Sequence, residues 1–346
     1  MAATFFLPHA ALDTLFAALA AEGRRILAPT DRDGRTELNP VERPSEVAQD
    51  YVQTILSAKE AVFPKVERML GYTLGPGGAV ALQDALPRAL PTVLFGIRPC
   101  EAAGFGALDA VFNWDTRDRF FNARMEALAI VGVACARKDD SCFCTSVGGG
   151  PGSTRGSDLL LTPVAGGFLA EVVTAKGWAI HALAPEAFLP DPGLAREVAE
   201  VPAAFDHAAL TARLKDLFDA GLWEEQALRC LGCGACAFVC PTCVCFDIVE
   251  EADARGGHPL VEGGVAGGGH RLRTWDTCAS SSFTLHASGH NPRATQGQRW
   301  RQRIYHKFAY YPERHGRLGC VGCGKCARAC PVDMNLQEHL AAAARA

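Results

Sequence analysis

Residues 230–241 read Cys230-Leu-Gly-Cys233-Gly-Ala-Cys236-Ala-Phe-Val-Cys240-Pro241, and residues 320–331 read Cys320-Val-Gly-Cys323-Gly-Lys-Cys326-Ala-Arg-Ala-Cys330-Pro331. Both follow C-x2-C-x2-C-x3-C-P, the spacing in which three close thiolates wrap one iron–sulfur cubane and the fourth reaches a neighbouring cluster. The predicted ligation is therefore crossed. Cys230, Cys233, Cys236 and Cys330 are expected to hold one 4Fe-4S cluster, and Cys320, Cys323, Cys326 and Cys240 a second. Zinc modules take paired knuckles from separate segments, which fits a run of three ligands less well. The prolines lack an N–H and stop regular helix after each fourth cysteine, and Gly232, Gly234, Gly322 and Gly324 let backbone approach the sulfides. The 80-residue separation from Cys240 to Cys320 exceeds a compact β-hairpin ferredoxin and predicts a helical ferredoxin with an insertion.

Outward from these runs, the chain has 346 residues, 49% of them hydrophobic, with 15 cysteines. That length predicts two or three domains, and the hydrophobic content excludes disorder. Four cysteines lie between 100 and 144, none between 145 and 229, and eleven after that. Such usage in a chain with a full hydrophobic core points to metal or redox chemistry instead of disulfides. A net charge of −4 gives no nucleic-acid footprint. The longest apolar stretches, such as 127–136, are too short to span a membrane. The first residues show no basic leader region, so a cytoplasmic location is expected.

The fold class expected is α+β: an N-terminal α/β domain at 1–184, a linker at 185–207 and a mostly helical, ferredoxin-like dicluster domain at 208–346. A helix is predicted over Ala10–Glu22 and another over Ala208–Ala220. Strands are predicted at Arg25–Pro29, Thr92–Ile97, Leu128–Val133, Leu159–Val164, Gly167–Val173 and Trp178–Leu183. Four prolines in 185–202 mark the linker. Residues 256–270 contain seven glycines but no G-x-G-x-x-G or GK[ST], and read as a flexible loop without a nucleotide role.

Four further cysteines follow strand ends or lie in a polar loop: Cys100 in FGIRPC, Cys135 in IVGVAC, Cys142 and Cys144 in KDDSCFCTS. Together they make a full ligand set and predict a third 4Fe-4S cluster; zinc, or buried thiols with a redox-active pair, are the other readings. Cys243 and Cys245 in PTCVCFD, and Cys278 in RTWDTC, are surplus to these sets and either tune a neighbouring cluster or bind a further metal. No histidine is assigned to metal. Arg293–Arg317 holds seven Arg or Lys against one carboxylate, either a solvated helix face or a patch that docks an acidic redox partner. No catalytic residues are assigned, since no nucleophile elbow or paired carboxylate motif is present.

The segments FGIRPCEAAGFGALDAVF, IVGVAC, CFC, CPTCVCFDI, RTWDTC and YHKFAYYPERHGRLGCVGCGKCARACPVDMNL together resemble the iron–sulfur electron-transfer β subunits of cytoplasmic nickel–iron sulfhydrogenases and the A subunit of anaerobic sulfite reductase. The resemblance runs from about Leu94 to Leu336 and departs at Glu101, where the family pattern has Asp. It implies a relay between a flavoprotein subunit that oxidises NAD(P)H and a catalytic subunit carrying a nickel–iron centre or sirohaem. A self-sufficient reductase of a sulfur or disulfide substrate is the alternative function. No nucleic acid or membrane is expected among its partners.

Overall fold

The computed structural model describes residues 3–253 and 267–346. Of the glycine-rich stretch at 256–270, all but its last residues lies outside the described residues.

The apolar runs of the first half become the centre of a mixed eight-stranded sheet. Its strands are β1 (Ala3–Pro8), β2 (Arg25–Arg32), β3 (Arg35–Val41), a later β6 (Thr92–Ile97), β7 (Leu128–Val133), β8 (Leu159–Val164), β9 (Gly167–Val172) and β10 (Leu189–Pro190), in the order β10-β1-β9-β8-β7-β6-β2-β3. The inner strands β2, β6, β7 and β8 run parallel, and the outer pairs are antiparallel. Parallel strands need helical crossovers on the sheet faces, which is why these runs are continuously apolar instead of alternating. Val93, Phe95, Ala129 and Val131 face helix α1 (Leu12–Ala21), whereas Leu94, Leu128 and Ile130 belong to the opposite core, with Phe105 and Leu108 of α2 (Pro99–Phe112) and Phe121 of α3 (Arg119–Ala127).

Two sequence expectations change here. Trp178–Leu183 is no strand but the body of helix α4 (Ala175–Leu183). Thr174 caps it by accepting from the Gly177 amide at 3.4 Å, and Ile180 alone of its long apolar residues is fully buried, so a one-in-four face, not alternation, governs the segment. Gly177 lies so close to the Asp158 carbonyl that a side chain would collide with it. The helix expected over Ala208–Ala220 is shorter: α5 spans His207–Leu214, with the Asp206 carboxylate accepting from Ala208 N at 2.7 Å. Between them the proline-rich stretch lies against the sheet, with Glu197 N donating to Pro163 O at 2.9 Å and Ala199 N to Cys135 O at 2.7 Å.

The second half adds α6 (Leu222–Ala227), α7 (Ala235–Phe238), α8 (Gln296–Tyr305), α9 (Tyr311–His315), α10 (Lys325–Arg328) and α11 (Leu336–Arg345). Trp223, Trp300, Ile304, Phe308 and Leu340 form its core together with Leu210 and Leu214 of α5. It also contains two long strands that the cysteine spacing does not announce, β11 (Phe246–Ala252) and β12 (Gly268–Trp275). They complete a four-stranded sheet, β11-β12-β4-β5, with β4 (Val66–Leu74) and β5 (Val80–Asp84). The two halves of the sequence are thus woven through one sheet.

A buried charge fixes that weave. Arg273 of β12 donates from Nε to Glu67 of β4 at 2.9 Å and from Nη1 to Asp118 at 2.5 Å, while Arg124 pairs with the other Glu67 oxygen. Arg273 and Glu67 are 2% and 3% exposed, so removal of one partner strands the other in a low-dielectric site. Glu67→Gln is expected to cost about 3 kcal/mol, read as a lower denaturant midpoint of the anaerobic protein, with Glu67→Asp milder.

Candidate iron–sulfur centres

Gly234 and Gly324 stand immediately before the short helices α7 and α10, with φ of +79° and +71°. Both sit where the backbone must turn left-handed directly after a cysteine, a conformation that costs glycine nothing. The two cysteine runs therefore adopt the same loop-then-turn geometry. Each is pressed against another loop: a Cβ on Gly234 would lie 2.5 Å from Thr277 Cγ2, and one on Gly322 would lie 2.5 Å from the Phe143 carbonyl.

Two cavities result. One is lined by Cys230, Cys233, Cys236 and Cys330, with Ala279, Trp300, Met334 and Leu336 closing it. The other is lined by Cys240, Cys320, Cys323 and Cys326, with Phe143 and Pro241. Cys326 and Arg303 border both. The first cavity thus combines three cysteines of the first run with Cys326 and Cys330 of the second, and the second combines three cysteines of the second run with Cys240 of the first. Polar hydrogens converge on the sulfurs: Gln296 Nε2 donates to Cys230 at 3.1 Å, Met334 N to Cys330 at 3.2 Å and Gly322 N to Cys320 at 3.5 Å.

Cys100, Cys135, Cys142 and Cys144 form a third group. The first two follow the carboxyl ends of the adjacent parallel strands β6 and β7, where open α/β sheets place their ligands. Cys100 lies near enough to Cys135 and Cys144, and Cys135 to Cys142 and Cys144, for each thiol to perturb the others' ionisation. Gln53 Nε2 donates to Cys100 Sγ at 3.0 Å and Arg328 Nη2 to Cys142 Sγ at 3.3 Å. The loop carrying Cys142 and Cys144 is hydrogen-bonded to the second run through Phe143 N and Gly322 O at 3.0 Å, and Cys100 in turn perturbs Cys323. The third group therefore adjoins the second cavity.

Among the described residues, no three His, Cys, Asp or Glu side chains converge tightly enough for a single metal ion. A cubane spreads its four thiolates around a wider box, and the donor set here is all thiolate, as such clusters use. The residues fit that group.

Burial works against ionisation of these thiols. It pushes Cys135, Cys236 and Cys320 up to about 11, and Cys100 and Cys323 well above their ordinary range. Anionic sulfur in such surroundings needs compensating charge, and the sequence reading did not find where it comes from. Arg299, Arg303 and Lys307, three of the seven cations in Arg293–Arg317, are 9%, 4% and 4% exposed. The strip is thus neither a solvated face nor a docking patch at these positions. Arg303 donates to the Cys236 carbonyl at 2.9 Å and to Cys243 Sγ at 3.5 Å, and Lys307 Nζ lies 3.4 Å from Cys240 Sγ and 2.7 Å from Gly319 O. A π-helical turn at His306–Tyr310 continues α8 and carries Lys307 inward. Burial opposes the charge on Lys307, but Cys240 and Cys243 outweigh it and raise its pKa. The four-residue spacing of these cations, which puts them on one helix face, was the available signal.

The surplus cysteines are also placed. Cys243 donates to Cys240, and that hydrogen bond, followed by Lys307 and Arg303, holds Cys240 well below the usual thiol range. Cys245 and Cys278 hydrogen-bond each other. Glu101 accepts from Ala58 N at 2.6 Å and pairs with Lys325 Nζ at 3.0 Å; Lys325 also binds Thr54 Oγ1 at 2.7 Å. This pair joins the start of α2, beside Cys100, to the loop of Cys323 and Cys326.

Residues 229–334 match the family model described as 4Fe-4S dicluster domain. Over 325 residues, 91% of this chain and 90% of the relative, the sequence is 29% identical to sulfhydrogenase 2 subunit beta of Pyrococcus furiosus. The resemblance to iron–sulfur β subunits is borne out, and the chain is a homologue of that sulfhydrogenase subunit. No solved structure matches it. No helix among the described residues is long and apolar enough to cross a membrane.

Glu101 and Lys325 are 2% exposed each, so Lys325→Met leaves a buried unpaired carboxylate and is expected to cost about 3–5 kcal/mol in denaturant unfolding. The double variant Glu101→Gln/Lys325→Met removes both charges and is expected to recover at least a third of that loss.

Proposed function

We propose that this chain is the electron-transfer subunit of a multisubunit oxidoreductase and relays single electrons through three 4Fe-4S clusters. The observation that carries the reading is the pair of cavities, the first lined by Cys230, Cys233 and Cys236 with Cys330 and Cys326, the second by Cys320, Cys323 and Cys326 with Cys240, and Arg303 buried and bordering both. The proposed ligands are Cys230, Cys233, Cys236 and Cys330 for one cluster, and Cys320, Cys323, Cys326 and Cys240 for the second. Cys100, Cys135, Cys142 and Cys144 hold the third. The two C-terminal sites and their surrounding short helices make a ferredoxin-like unit, served by an α/β platform.

Bound there, the clusters supply one-electron chemistry. The protein's own groups make it possible: Phe143, Trp300 and Leu336 exclude water, Lys307 and Arg303 offset the negative charge, and amide and thiol hydrogens of Gly322, Met334 and Cys243 soften the ligand sulfurs. Contacts between the loops of the second and third groups favour a continuous path. By analogy with the relative's printed name, the catalytic partner is a hydrogenase or sulfur-reducing subunit, and a flavoprotein oxidising NAD(P)H completes the chain in the cytoplasm.

Two experiments test this. Cys330→Ser is expected to alter the paramagnetic resonance signal that Cys233→Ser alters, although the residues lie about 100 positions apart in sequence. A Cys330→Ser effect confined to the signal of Cys323→Ser would break the crossed assignment. The isolated chain is expected to pass no electrons from NADPH to a dye until a flavoprotein is added, and flavin bound to it in stoichiometric amount would overturn the relay.

The third site has its own measure. Anaerobically purified protein is expected to carry about 12 iron atoms per chain, and Cys142→Ser/Cys144→Ser about 8. A wild-type value near 8 sinks the N-terminal cluster.

A further inference from the structure

Cys245 and Cys278 take no part in the three ligand sets, yet the fold brings them into contact. Cys245 precedes β11 and Cys278 follows β12, and the two strands are in register through Phe246 opposite Trp275. The ladder continues one step further, where Asp276 N donates to Cys245 O at 3.0 Å. This places both thiols at the same end of one ribbon, near enough for each to perturb the other's ionisation. Both residues are partly accessible at the surface.

The ribbon end abuts the first cavity. Ala279, next to Cys278, lines it, its carbonyl lies 3.3 Å from where a Cβ of Gly232 would stand, and Thr277 packs on Gly234. The Cys278 thiol is close enough to perturb Cys236.

We propose that Cys245 and Cys278 form a reversible dithiol–disulfide couple that exchanges two electrons, one at a time, with the clusters beside it. This rests on the cluster reading above. In the oxidising direction the Cys245 S–H bond breaks and its proton passes to water, one sulfur–sulfur bond forms to the Cys278 thiolate, and two electrons leave, one to each of two oxidised clusters. Reduction reverses each step. Closing the couple requires the two neighbouring sulfurs to approach to the ~2.05 Å of a disulfide. The hydrogen bond from Cys245, followed by Arg303 and Lys307, outweighs burial and lowers the Cys278 pKa, which favours a thiolate there. The same hydrogen bond, followed by burial, raises the Cys245 pKa and keeps its proton in place. One partner is thereby poised as nucleophile and the other as proton-bearing thiol. The couple would give a chain of one-electron centres a station that holds a pair of electrons, suiting it to two-electron donors and acceptors at either end.

The test uses the anaerobic holoprotein, reduced with dithionite or oxidised with thionine, trapped with N-ethylmaleimide in acid and digested for mass spectrometry, with iron counted in the same samples. The oxidised protein is expected to yield a peptide cross-linked between Cys245 and Cys278, absent after reduction. Cys245→Ser and Cys278→Ser are each expected to abolish it, to leave iron content at the wild-type value, and to lower reductive uptake by two electrons per chain. Both cysteines alkylated in oxidised, iron-replete protein overturns the couple, as does an iron loss in both variants that matches one cluster. The iron count of the wild type judges the cluster reading separately, since a low count leaves the cross-link result standing on its own.

Discussion

Placement of positive charge beside buried thiols is the constraint on which this architecture depends. Twelve cysteines in three groups, if ionised to bind iron, bring into the interior more negative charge than a protein core tolerates unpaired. The chain answers with cations that are themselves buried: Arg303 bordering both C-terminal cavities, Lys307 lining the second, Lys59 against the Cys243 carbonyl at 2.8 Å, and Lys325 paired with Glu101 beside Cys100. Each is held by backbone carbonyls or a carboxylate, and Arg303 and Lys307 reach sulfur as well, so their positions do not depend on a bound cluster. Removing such a cation would disturb the charge balance and the packing together, because the same side chains hold the loops in place.

The large-scale fold follows from this demand. The α/β sheet supplies strand ends at which Cys100 and Cys135 project from a rigid base, and the loop of Cys142 and Cys144 leans from there onto Gly322 and Gly324. The four-stranded sheet ties the other side, with Arg273 and Glu67 locking a strand of the second half to one of the first. The loop-borne cysteines thereby gain the rigidity of two sheets. Rigid ligands would keep reorganisation small during one-electron transfer, the property the proposed relay needs.

Much of this was legible in the sequence, for identifiable reasons. The doubled C-x2-C-x2-C-x3-C-P run identified the dicluster region because its spacing is dictated by cubane geometry, and continuous apolar runs marked β6, β7 and β8 because both sheet faces are covered. What was missed depended on distant partners. Strands β4, β5, β11 and β12 are amphipathic at best, with Val66, Val80, Leu82 and Ile248 exposed, so alternation gave no core face to read. Trp178 suggested a strand, but the Thr174 cap and the alanines around it made a helix. Arg303 and Lys307 looked like surface charge because nothing local reveals that a helix face turns toward sulfur.

The most direct test is anomalous diffraction at the iron absorption edge from anaerobically grown crystals. The account predicts three four-iron peaks: one among Cys230, Cys233, Cys236 and Cys330, one among Cys320, Cys323, Cys326 and Cys240, and one among Cys100, Cys135, Cys142 and Cys144, with Arg303 between the first two. Peaks centred on each run's own four cysteines, or no iron at the N-terminal group, would contradict it.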